Sequence, residues 1–267
     1  MKPAALVTGA SSGIGEALAL CLAAEGEQLV LTGRSSRELQ RVAAAVEAAS
    51  GKAALCITAD LAEPGAAEHL RTQVSEAGLR VRDLINNAGF GLAGDMADLP
   101  RAGQLGIVDV NCRALLDLTL TFMPDIRATR GGVLNVASVA AFTPGPGLAV
   151  YYASKAFVLS FSRALRHELA PDGVRVSCLC PGPTATRFGE RAGFGGSRAV
   201  SMAVGLDAMG VARVGLSGFR ANRAVIVPGW TNKLLVFALG VLPVGAVLPV
   251  LSRIQRRRRM ALPSGGA

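Results

Sequence analysis

Two side chains with complementary chemistry stand one helical turn apart in the second half of the chain. Tyr151 precedes Lys155 by four residues, in the segment YYASK. A spacing of four puts a phenol and an ammonium on the same face of a helix, and a nearby cation favours the phenolate. The sequence therefore predicts that Lys155 lowers the pKa of Tyr151 from its usual value of about 10, which would make Tyr151 a general acid or base near neutral pH.

A glycine-rich turn near the start of the chain could hold a phosphate-bearing ligand. Residues 8–15 read TGASSGIG and end a short apolar run. Glycines let the backbone turn tightly and approach a pyrophosphate, and the helix that follows presents its N-terminus to the charge. The spacing is not that of G-x-G-x-x-G, so a structural turn stays open as the alternative, although the position between a strand and a helix favours the nucleotide site.

The segments between these motifs alternate between strand-like and helix-like patterns. We predict strands at residues 4–8, 28–32, 53–58, 83–86, 133–137, 174–180 and 224–227, and helices at residues 13–24, 38–49, 65–77, 109–129, 151–169 and 208–218. Such alternation predicts an α/β fold: a doubly wound (Rossmann), mostly parallel, seven-stranded sheet with helices on both faces, followed by an apolar helical tail.

Length and composition are typical of one domain with a tail. The chain has 267 residues, of which 51% are hydrophobic, enough for one substantial core. We assign residues 1–230 to the Rossmann-type domain and residues 231–267 to the tail. The chain enters a strand directly after Met1, Lys2 and Pro3, without room for a signal peptide, so we expect a cytoplasmic location.

Cysteine usage indicates a reducing compartment, because the five cysteines are an odd number and fall in predicted strands and helices. Cys178 and Cys180 could belong to a metal site, but neither His69 nor His167 lies near them in sequence. We read both as buried strand residues and predict no metal site.

The net charge of +9 comes from the C-terminal part of the chain, because residues 1–207 hold 19 basic and 19 acidic residues whereas residues 208–267 hold nine basic and no acidic ones.

The tail also contains a long apolar segment. Residues 234–251 carry no charge, and as a helix they would span about 27 Å, interrupted at Pro243 and Pro249. We favour a broken helical hairpin that makes peripheral membrane contact through residues 234–259, with the arginines on anionic headgroups. The alternative is a helix pair that covers the substrate pocket or a dimer contact. We expect no nucleic acid, because the arginine run lacks an aromatic stacking platform.

The motifs together resemble those of the short-chain dehydrogenase/reductase family. The glycine-rich turn at residues 8–15, NNAG at residues 86–89, a serine thirteen residues before the tyrosine, Y-x-x-x-K at residues 151–155 and P-G-x-x-x-T at residues 181–186 occur in the family's order. Taken alone, NNAG could be an ordinary turn and the serine an ordinary residue at a strand end. The resemblance covers roughly residues 4–230.

The resemblance implies a catalytic tetrad of Asn111, Ser138, Tyr151 and Lys155. The tyrosine would give its proton to the carbonyl oxygen as hydride arrives, while the serine holds the same oxygen. The lysine would bind the nicotinamide ribose and lower the pKa of the tyrosine, and Asn111 would hold a water that links Lys155 to solvent. We read the neighbouring Tyr152 as structural, since it has no lysine four residues on.

The cofactor preference follows from the end of the second strand. An NAD enzyme usually has an acidic residue there for the ribose hydroxyls, but this chain has Gly33 followed by Arg34 and Ser35, which leave room and charge for a 2′-phosphate. NADP(H) is therefore favoured over NAD(H), the alternative being that Arg34 is merely solvated. With the remaining residues implied by the resemblance, the cofactor-binding set is Gly9, Ser11, Ser12, Gly13, Ile14, Gly15, Arg34, Ser35, Asp60, Leu61, Asn87, Ala88, Gly89, Tyr151, Lys155, Pro181, Gly182 and Thr186.

We therefore expect an NADP(H)-dependent carbonyl reductase that acts on a lipophilic ketone or oxoacyl substrate. Residues 189–204 and the tail would form the substrate wall. We expect a homo-oligomer paired through the long helices, and a cytoplasmic protein that reaches the inner face of the membrane. The competing class is a non-catalytic NADP(H)-binding sensor or scaffold with the same fold; an epimerase or dehydratase is less favoured, because those relatives are usually longer.

Overall fold

The computed structural model describes residues 1–186, 188–193 and 206–260 of the chain. Strands and helices alternate along these residues, as the sequence predicts. The strands are β1 (Lys2–Thr8), β2 (Leu29–Gly33), β3 (Leu55–Thr58), β4 (Leu79–Asn86), β5 (Gly132–Val136), β6 (Arg175–Leu179) and β7 (Val225–Ile226). The helices are α1 (Gly13–Ala24), α2 (Ser36–Ser50), α3 (Ala66–Glu76), α4 (Arg101–Val108), α5 (Leu115–Ala128), α6 (Ala149–Leu169), α7 (Phe188–Arg191), α8 (Ala208–Arg220), α9 (Trp230–Val241) and α10 (Val244–Met260).

The seven strands form one sheet in the order β3-β2-β1-β4-β5-β6-β7, and every pair is parallel. This confirms the predicted doubly wound fold. The strand order reverses at β1, which lies between β2 and β4. In such sheets ligands bind in the crevice at the carboxyl ends of the strands beside the reversal point. The glycine-rich turn after β1 and the NNAG turn after β4 therefore flank the expected crevice.

Both faces of the sheet are buried, which explains why its strands are almost continuously apolar. Along β1, Ala5 and Val7 pack into a core layer that includes α1, α2 and α8, whereas Ala4 and Leu6 pack into the opposite layer with α3, α5 and α6. The alternation of side chains along a strand thus supplies two cores from one segment. The sheet is held rigidly between them, and its carboxyl edge carries the site.

The long central helical run starts earlier than the sequence predicts. Residues 109–129 were expected as one helix, but α4 precedes them, and a π-helical turn at Asp109–Ala114 separates α4 from α5. Gly103 and Gly106 lower the helix propensity of α4. Tertiary packing overrides that propensity, because a Cβ on Gly103 would lie 2.7 Å from Leu92 and one on Gly106 would lie 3.3 Å from Phe90.

The tail contains two helices that are separated at Leu242 and Pro243. The predicted second interruption, at Pro249, does not occur, since this proline lies inside α10. Pro249 is the sixth residue of α10, so the helix continues through it although the proline supplies no N–H to the carbonyl four residues earlier. Among the described residues, none of the helices is both long and apolar enough to cross a bilayer.

Candidate active site

The turn between β1 and α1 has a backbone that requires glycine. Gly9 and Gly13 have φ values of 62° and 63°, in the left-handed region that side chains rarely adopt. Gly15 lies so close to the Gly9 carbonyl that a Cβ would overlap it. The turn leads directly into the N-terminus of α1, which begins at Gly13 after the N-cap Ser12. This arrangement is typical of a pyrophosphate site, because unpaired N–H groups and the helix dipole both favour an anion.

Asn87 holds the glycine-rich turn against the end of β4. Its Nδ2 donates hydrogen bonds to the carbonyl oxygens of Thr8 and Gly9, at 2.9 and 3.2 Å. The Thr8 hydroxyl in turn accepts from the backbone N–H groups of Asn87 and Ala88, both at 2.9 Å. The Asn87 amide nitrogen thus donates its hydrogen bonds to protein carbonyls. A ligand could therefore contact only the side-chain carbonyl oxygen of Asn87 and the neighbouring backbone.

Tyr151 and Lys155 lie on one face of α6, as the spacing predicts. The Lys155 ammonium lies 5.9 Å from the centre of the Tyr151 ring and donates to the Val136 carbonyl at 2.9 Å. Gly91 packs against the tyrosine ring, since a Cβ there would lie 2.9 Å from Tyr151 Cδ2. Gly89 lies close to the lysine, with a would-be Cβ 3.3 Å from Nζ. Small residues in the loop after β4 therefore leave room for both functional side chains.

The predicted lowering of the Tyr151 pKa is wrong for this structure. Desolvation by the surrounding protein raises the pKa of Tyr151 to about 12, an interaction with the Ser138 hydroxyl lowers it by less, and Tyr152 adds a small increase. Burial is the main cause of this outcome, and the Lys155 ammonium, which donates to the Val136 carbonyl, is not among the groups that shift the pKa of Tyr151. Tyr151 is consequently protonated at neutral pH, the state that a proton donor needs.

Lys155 is 5% exposed, and burial lowers its pKa to about 8. The thiols of Cys178, Cys112 and Cys180 oppose this shift. Cys178 and Cys180 are themselves buried, with their sulfur atoms 3.8 Å apart. No cluster of three or more metal-binding side chains occurs in the described residues.

Asn111 lies in the π-helical turn, where its side chain is fully engaged. Its Oδ1 accepts from the Phe90 N–H at 3.0 Å, and its Nδ2 donates to the Phe90 carbonyl at 3.0 Å and to the Ser154 hydroxyl at 2.9 Å. Ser154 then donates to the Tyr151 carbonyl at 2.7 Å. Asn111 therefore joins the loop after β4 to the first turn of α6. Its predicted role in holding a water stays a prediction.

Ser138 lies just beyond β5, at the start of a short 3-10 helix (Val139–Phe142). Its hydroxyl accepts from the Ala140 N–H at 3.1 Å and donates to the Pro181 carbonyl at a long 3.4 Å. The Val139 N–H donates to the same carbonyl at 2.9 Å. The serine segment and the loop after β6 are thus joined, which brings two of the predicted motifs together.

The residues predicted to select the cofactor lie at the ends of β2 and β3. Arg34 is exposed and makes no hydrogen bond or ion pair with other described residues, and a Cβ on Gly33 would lie 3.4 Å from the Ser11 hydroxyl. Ser35 caps α2 by accepting from the Glu38 N–H at 3.4 Å. Asp60 accepts from the Ala62 N–H at 3.0 Å, and its neighbour Leu61 is buried.

The last predicted motif, P-G-x-x-x-T at residues 181–186, lies against the glycine-rich turn. Thr186 approaches Gly13, where a Cβ would lie 3.2 Å from the threonine methyl. Phe188 follows and packs on the Tyr151 ring with 5.3 Å between ring centres. Most of the predicted substrate wall, residues 194–204, lies outside the described residues, as does the arginine at position 187.

Sequence reasoning missed several residues that shape the site. Gly91 and Phe188 contact the Tyr151 ring, Ser154 links Asn111 to α6, and Asn232 packs on Gly182. Ser154 stands within the YYASK segment and could have been found there, because a serine one residue before the lysine lies on the inner side of the helix. Gly91 and Phe188 each stand two residues after a predicted motif, NNAG and P-G-x-x-x-T, but their contact with Tyr151 depends on the fold, and no motif marks Asn232.

Comparison with known proteins identifies the family whose pattern this chain matches. The profile of the short chain dehydrogenase family matches residues 3–193. Sulfoacetaldehyde reductase 2 of Chromohalobacter salexigens is 36% identical over 210 residues, which cover 78% of this chain and 82% of that protein. Very-long-chain 3-oxoacyl-CoA reductase of Phaeosphaeria nodorum is 37% identical over 180 residues, 66% of this chain and only 53% of that protein.

Solved structures share this fold. A short-chain dehydrogenase from Sphingobium yanoikuyae in complex with NADPH is similar with a TM-score of 0.77 and 29% identity, covering 100% of this chain and 98% of that one. The 3-ketoacyl-(acyl-carrier-protein) reductase from Brucella melitensis complexed with NADH has a TM-score of 0.74 and 29% identity, covering 85% and 96%.

Proposed function

Since this chain belongs to the short-chain dehydrogenase/reductase family and is an oxidoreductase of that type, we propose that it interconverts a carbonyl and a secondary alcohol with NADP(H). One observation carries the proposal. Tyr151 lies on one face of α6 with Lys155 and interacts with the Ser138 hydroxyl, at the carboxyl edge of the sheet, where a doubly wound fold binds its ligands. A phenol held in its acid form suits the reduction of a carbonyl better than the reverse reaction at neutral pH.

The chain's own residues fit a nicotinamide dinucleotide. The left-handed Gly9 and Gly13 open the turn before α1 to a pyrophosphate. The preference for NADP(H) rests on Gly33 and Arg34, because the exposed guanidinium has no protein partner among the described residues and is available to a 2′-phosphate. Of the two similar structures, one holds NADPH and the other NADH, so the choice rests on these residues rather than on the fold.

When bound, the reduced cofactor supplies the hydride. Tyr151 gives the proton of its phenol to the carbonyl oxygen, and the Ser138 hydroxyl donates a hydrogen bond to the same oxygen. The positive charge of Lys155 stabilises the phenolate that remains after proton transfer. Its ammonium lies on the same helix face and stays mainly protonated below its pKa of about 8. Asn111 keeps the loop after β4 fixed relative to Tyr151 through Ser154.

The test is the oxidation of NADPH, followed by its absorbance, with a panel of short-chain and long-chain ketones, aldehydes and 3-oxoacyl thioesters. NADH serves as the alternative cofactor. The proposal predicts turnover that favours NADPH over NADH and rises with the chain length of the substrate. Turnover with NADH alone would contradict the cofactor assignment, and a silent panel together with tight NADPH binding would support the non-catalytic sensor instead.

A lipophilic substrate is the finer part of the proposal. In α9, Trp230, Leu234, Phe237 and Val241 recur at intervals of four, three and four residues and are 59% to 75% exposed. Large apolar side chains at this spacing form one stripe along a helix. The surrounding sequence from residue 208 contains nine basic and no acidic residues. These features support peripheral contact of residues 234–259 with an anionic membrane surface, from which an apolar substrate could be drawn.

Membrane contact has a direct test. Recovery of the protein with sedimented vesicles of anionic phospholipid should exceed recovery with zwitterionic vesicles, and should fall when Phe237 and Val241 are replaced by serine. Equal recovery in all cases would contradict the contact. A cytoplasmic location stays a prediction.

A homo-oligomer is the second assembly prediction. Leu105 and Val108 of α4, Leu116 and Leu120 of α5, and Phe157 of α6 are large apolar side chains that lie at the surface. Leu116, Leu120 and Phe157 belong to the long helices at residues 109–129 and 151–169 through which the family resemblance implies pairing, and Leu105 and Val108 lie on the helix just before the first of them. Light scattering of the Leu120→Glu variant should show a smaller mass than the unchanged protein; identical masses would contradict pairing through these helices.

A further inference from the structure

We infer that Asn232, in the first turn of α9, is a positioning residue for the Pro181–Gly182 loop, which is joined to Ser138 and therefore borders the place where the reacting, nicotinamide end of the cofactor would lie. The inference rests on the proposed function, because the loop matters to the reaction only if a nicotinamide binds there. It gives the start of the C-terminal segment a part in the site, although this segment contains no recognised motif.

The contact itself leaves no space between the two residues. Asn232 is 5% exposed, and a Cβ on Gly182 would lie 2.5 Å from both Cγ and Nδ2 of its amide and closer still to Oδ1. A real Cβ cannot come that near, so with the amide in its observed place the loop can follow its path only with glycine at position 182. The flat Asn232 amide therefore limits how far the Pro181–Gly182 loop can move toward α9.

The neighbouring residue of the loop is fixed by a different part of the chain. The Pro181 carbonyl accepts hydrogen bonds from the Val139 N–H at 2.9 Å and from the Ser138 hydroxyl at 3.4 Å. The Thr184 hydroxyl donates to the Gly182 carbonyl at 3.0 Å. Two consecutive residues of the loop are thus held by the serine segment and by α9. A shift of Asn232 would move the loop relative to Ser138.

Asn232 is itself immobilised, which a positioning residue requires. Its Nδ2 donates to the Pro228 carbonyl at 2.7 Å, and the left-handed Gly229, with φ of 85°, turns the chain from β7 into α9. Just before this turn, the Ile226 carbonyl accepts from the Cys180 N–H at 2.8 Å, next to Pro181. The Asn232 amide is therefore held by the chain that follows β7, and the Pro181–Gly182 loop follows β6, the strand paired with β7.

The first experiment separates the two ends of the cofactor. Binding of NADPH and of adenosine 2′,5′-bisphosphate, which lacks the nicotinamide half, is measured by calorimetry for the unchanged protein, for Asn232→Ala and for the control Lys233→Ala. Lys233 is exposed on the same helix. We expect Asn232→Ala to weaken NADPH binding about tenfold and to leave bisphosphate binding unchanged. Equal losses for both ligands, or no loss for either, would overturn the inference.

A second variant reaches the same contact without altering α9. Gly182→Ala should weaken NADPH binding and lower kcat, because the new methyl group overlaps the Asn232 amide. In the Asn232→Ala background the same substitution should cost at least several-fold less, since the obstacle has gone. Independent, additive effects would contradict the proposed contact. Failure of the proposed function is distinguishable, because it would appear in the unchanged protein, either as no NADPH binding or as NADPH binding without turnover of any carbonyl, whereas failure of the inference appears only in the comparison of the variants.

Discussion

The two ends of the parallel sheet treat buried polar groups in opposite ways. At the amino ends of β5 and β6, the fully buried carboxylate of Asp83 pairs with Arg82 at 2.9 Å and with Arg175 and Arg220 at 3.2 Å. Glu25 and Glu27 complete the cluster, so that three arginines face three acids. At the carboxyl ends, Lys155 donates to a backbone carbonyl, and within the described part of the chain no carboxylate pairs with it.

At the carboxyl ends of the strands, the lack of charged partners among the described residues is visible in the pKa values of Tyr151 and Lys155. Burial raises the pKa of Tyr151 to about 12 and lowers that of Lys155 to about 8, and in each case it favours the neutral form. A buried charge without a partner destabilises the fold. Removing one partner from a buried ion pair is costly in unfolding free energy, because it leaves the other charge in that state. We therefore expect the Asp83 end to determine stability and the Tyr151 end to determine activity, so that substitutions should separate the two.

The largest expected effect is on turnover. Tyr151→Phe removes the proton donor and should lower kcat by about 10²–10⁴-fold, the range for general acid catalysis, with little change in the melting temperature. Steady-state kinetics with NADPH and the best ketone measure it. Tyr152→Phe is the matched control, since this adjacent phenol is predicted to be structural. Comparable losses in both variants would indicate a packing effect rather than proton transfer.

The next effect belongs to the opposite end of the sheet. Asp83→Asn leaves three arginines facing two acids and should lower the free energy of unfolding by about 3–5 kcal/mol, because a buried carboxylate charge is lost. Urea denaturation measures it, and the activity per folded molecule should be unchanged. Asp172→Asn, which breaks the exposed pair with Arg127 at 2.7 Å, should cost under about 1 kcal/mol. Similar costs for both variants would contradict the distinction between the two ends.

Lys155 links stability to pH in a direction that can be checked. Its folded pKa of about 8 lies below the ordinary lysine value, so between these values the unfolded state binds more protons and stability rises with pH. Lys155→Met removes this contribution. Relative to the variant, the unchanged protein should gain a few kcal/mol in unfolding free energy from about pH 8 to about pH 10.5. A difference that stays constant over this range would mean that burial does not shift the lysine.

The smallest effect concerns cofactor choice. Arg34→Ala should weaken NADPH binding by about tenfold, equivalent to one charge-assisted hydrogen bond, and leave NADH binding unchanged. Calorimetric titration with each cofactor measures it, and Arg37→Ala provides an exposed arginine nearby as the control. A loss of the same size with NADH would show that Arg34 does not read the 2′-phosphate.

The order of elements and the site motifs could be predicted from the sequence because both depend on local patterns. Apolar strands alternate with helical periodicity, and a spacing of four marks Tyr151 and Lys155, whereas Asn111 and Ser138 enter the predicted tetrad through the family resemblance. The predicted α1 agrees residue for residue with the structure. The chemistry of Tyr151 and Lys155 could be located in this way, although not its electrostatics.

What could not be predicted depends on three-dimensional packing. The sign of the Tyr151 pKa shift depends on burial, which outweighs a cation that is directed to Val136. The π-helical turn around Asn111 and the early start of α4 depend on contacts with Phe90 and Leu92, in a loop outside those helices. The contact of Asn232 with Gly182 joins residues that are fifty positions apart, and neither pattern nor spacing marks it.

The central claim is that this site passes hydride from NADPH to a carbonyl carbon while Tyr151 supplies the proton. A single-turnover reaction with NADPH that carries deuterium at both C4 positions, analysed by mass spectrometry of the product alcohol, tests it most directly. We predict that deuterium appears on the carbinol carbon with the unchanged protein, and that Tyr151→Phe, with NADPH bound, forms almost no product. An alcohol without deuterium, or equal product from the variant, would contradict the claim.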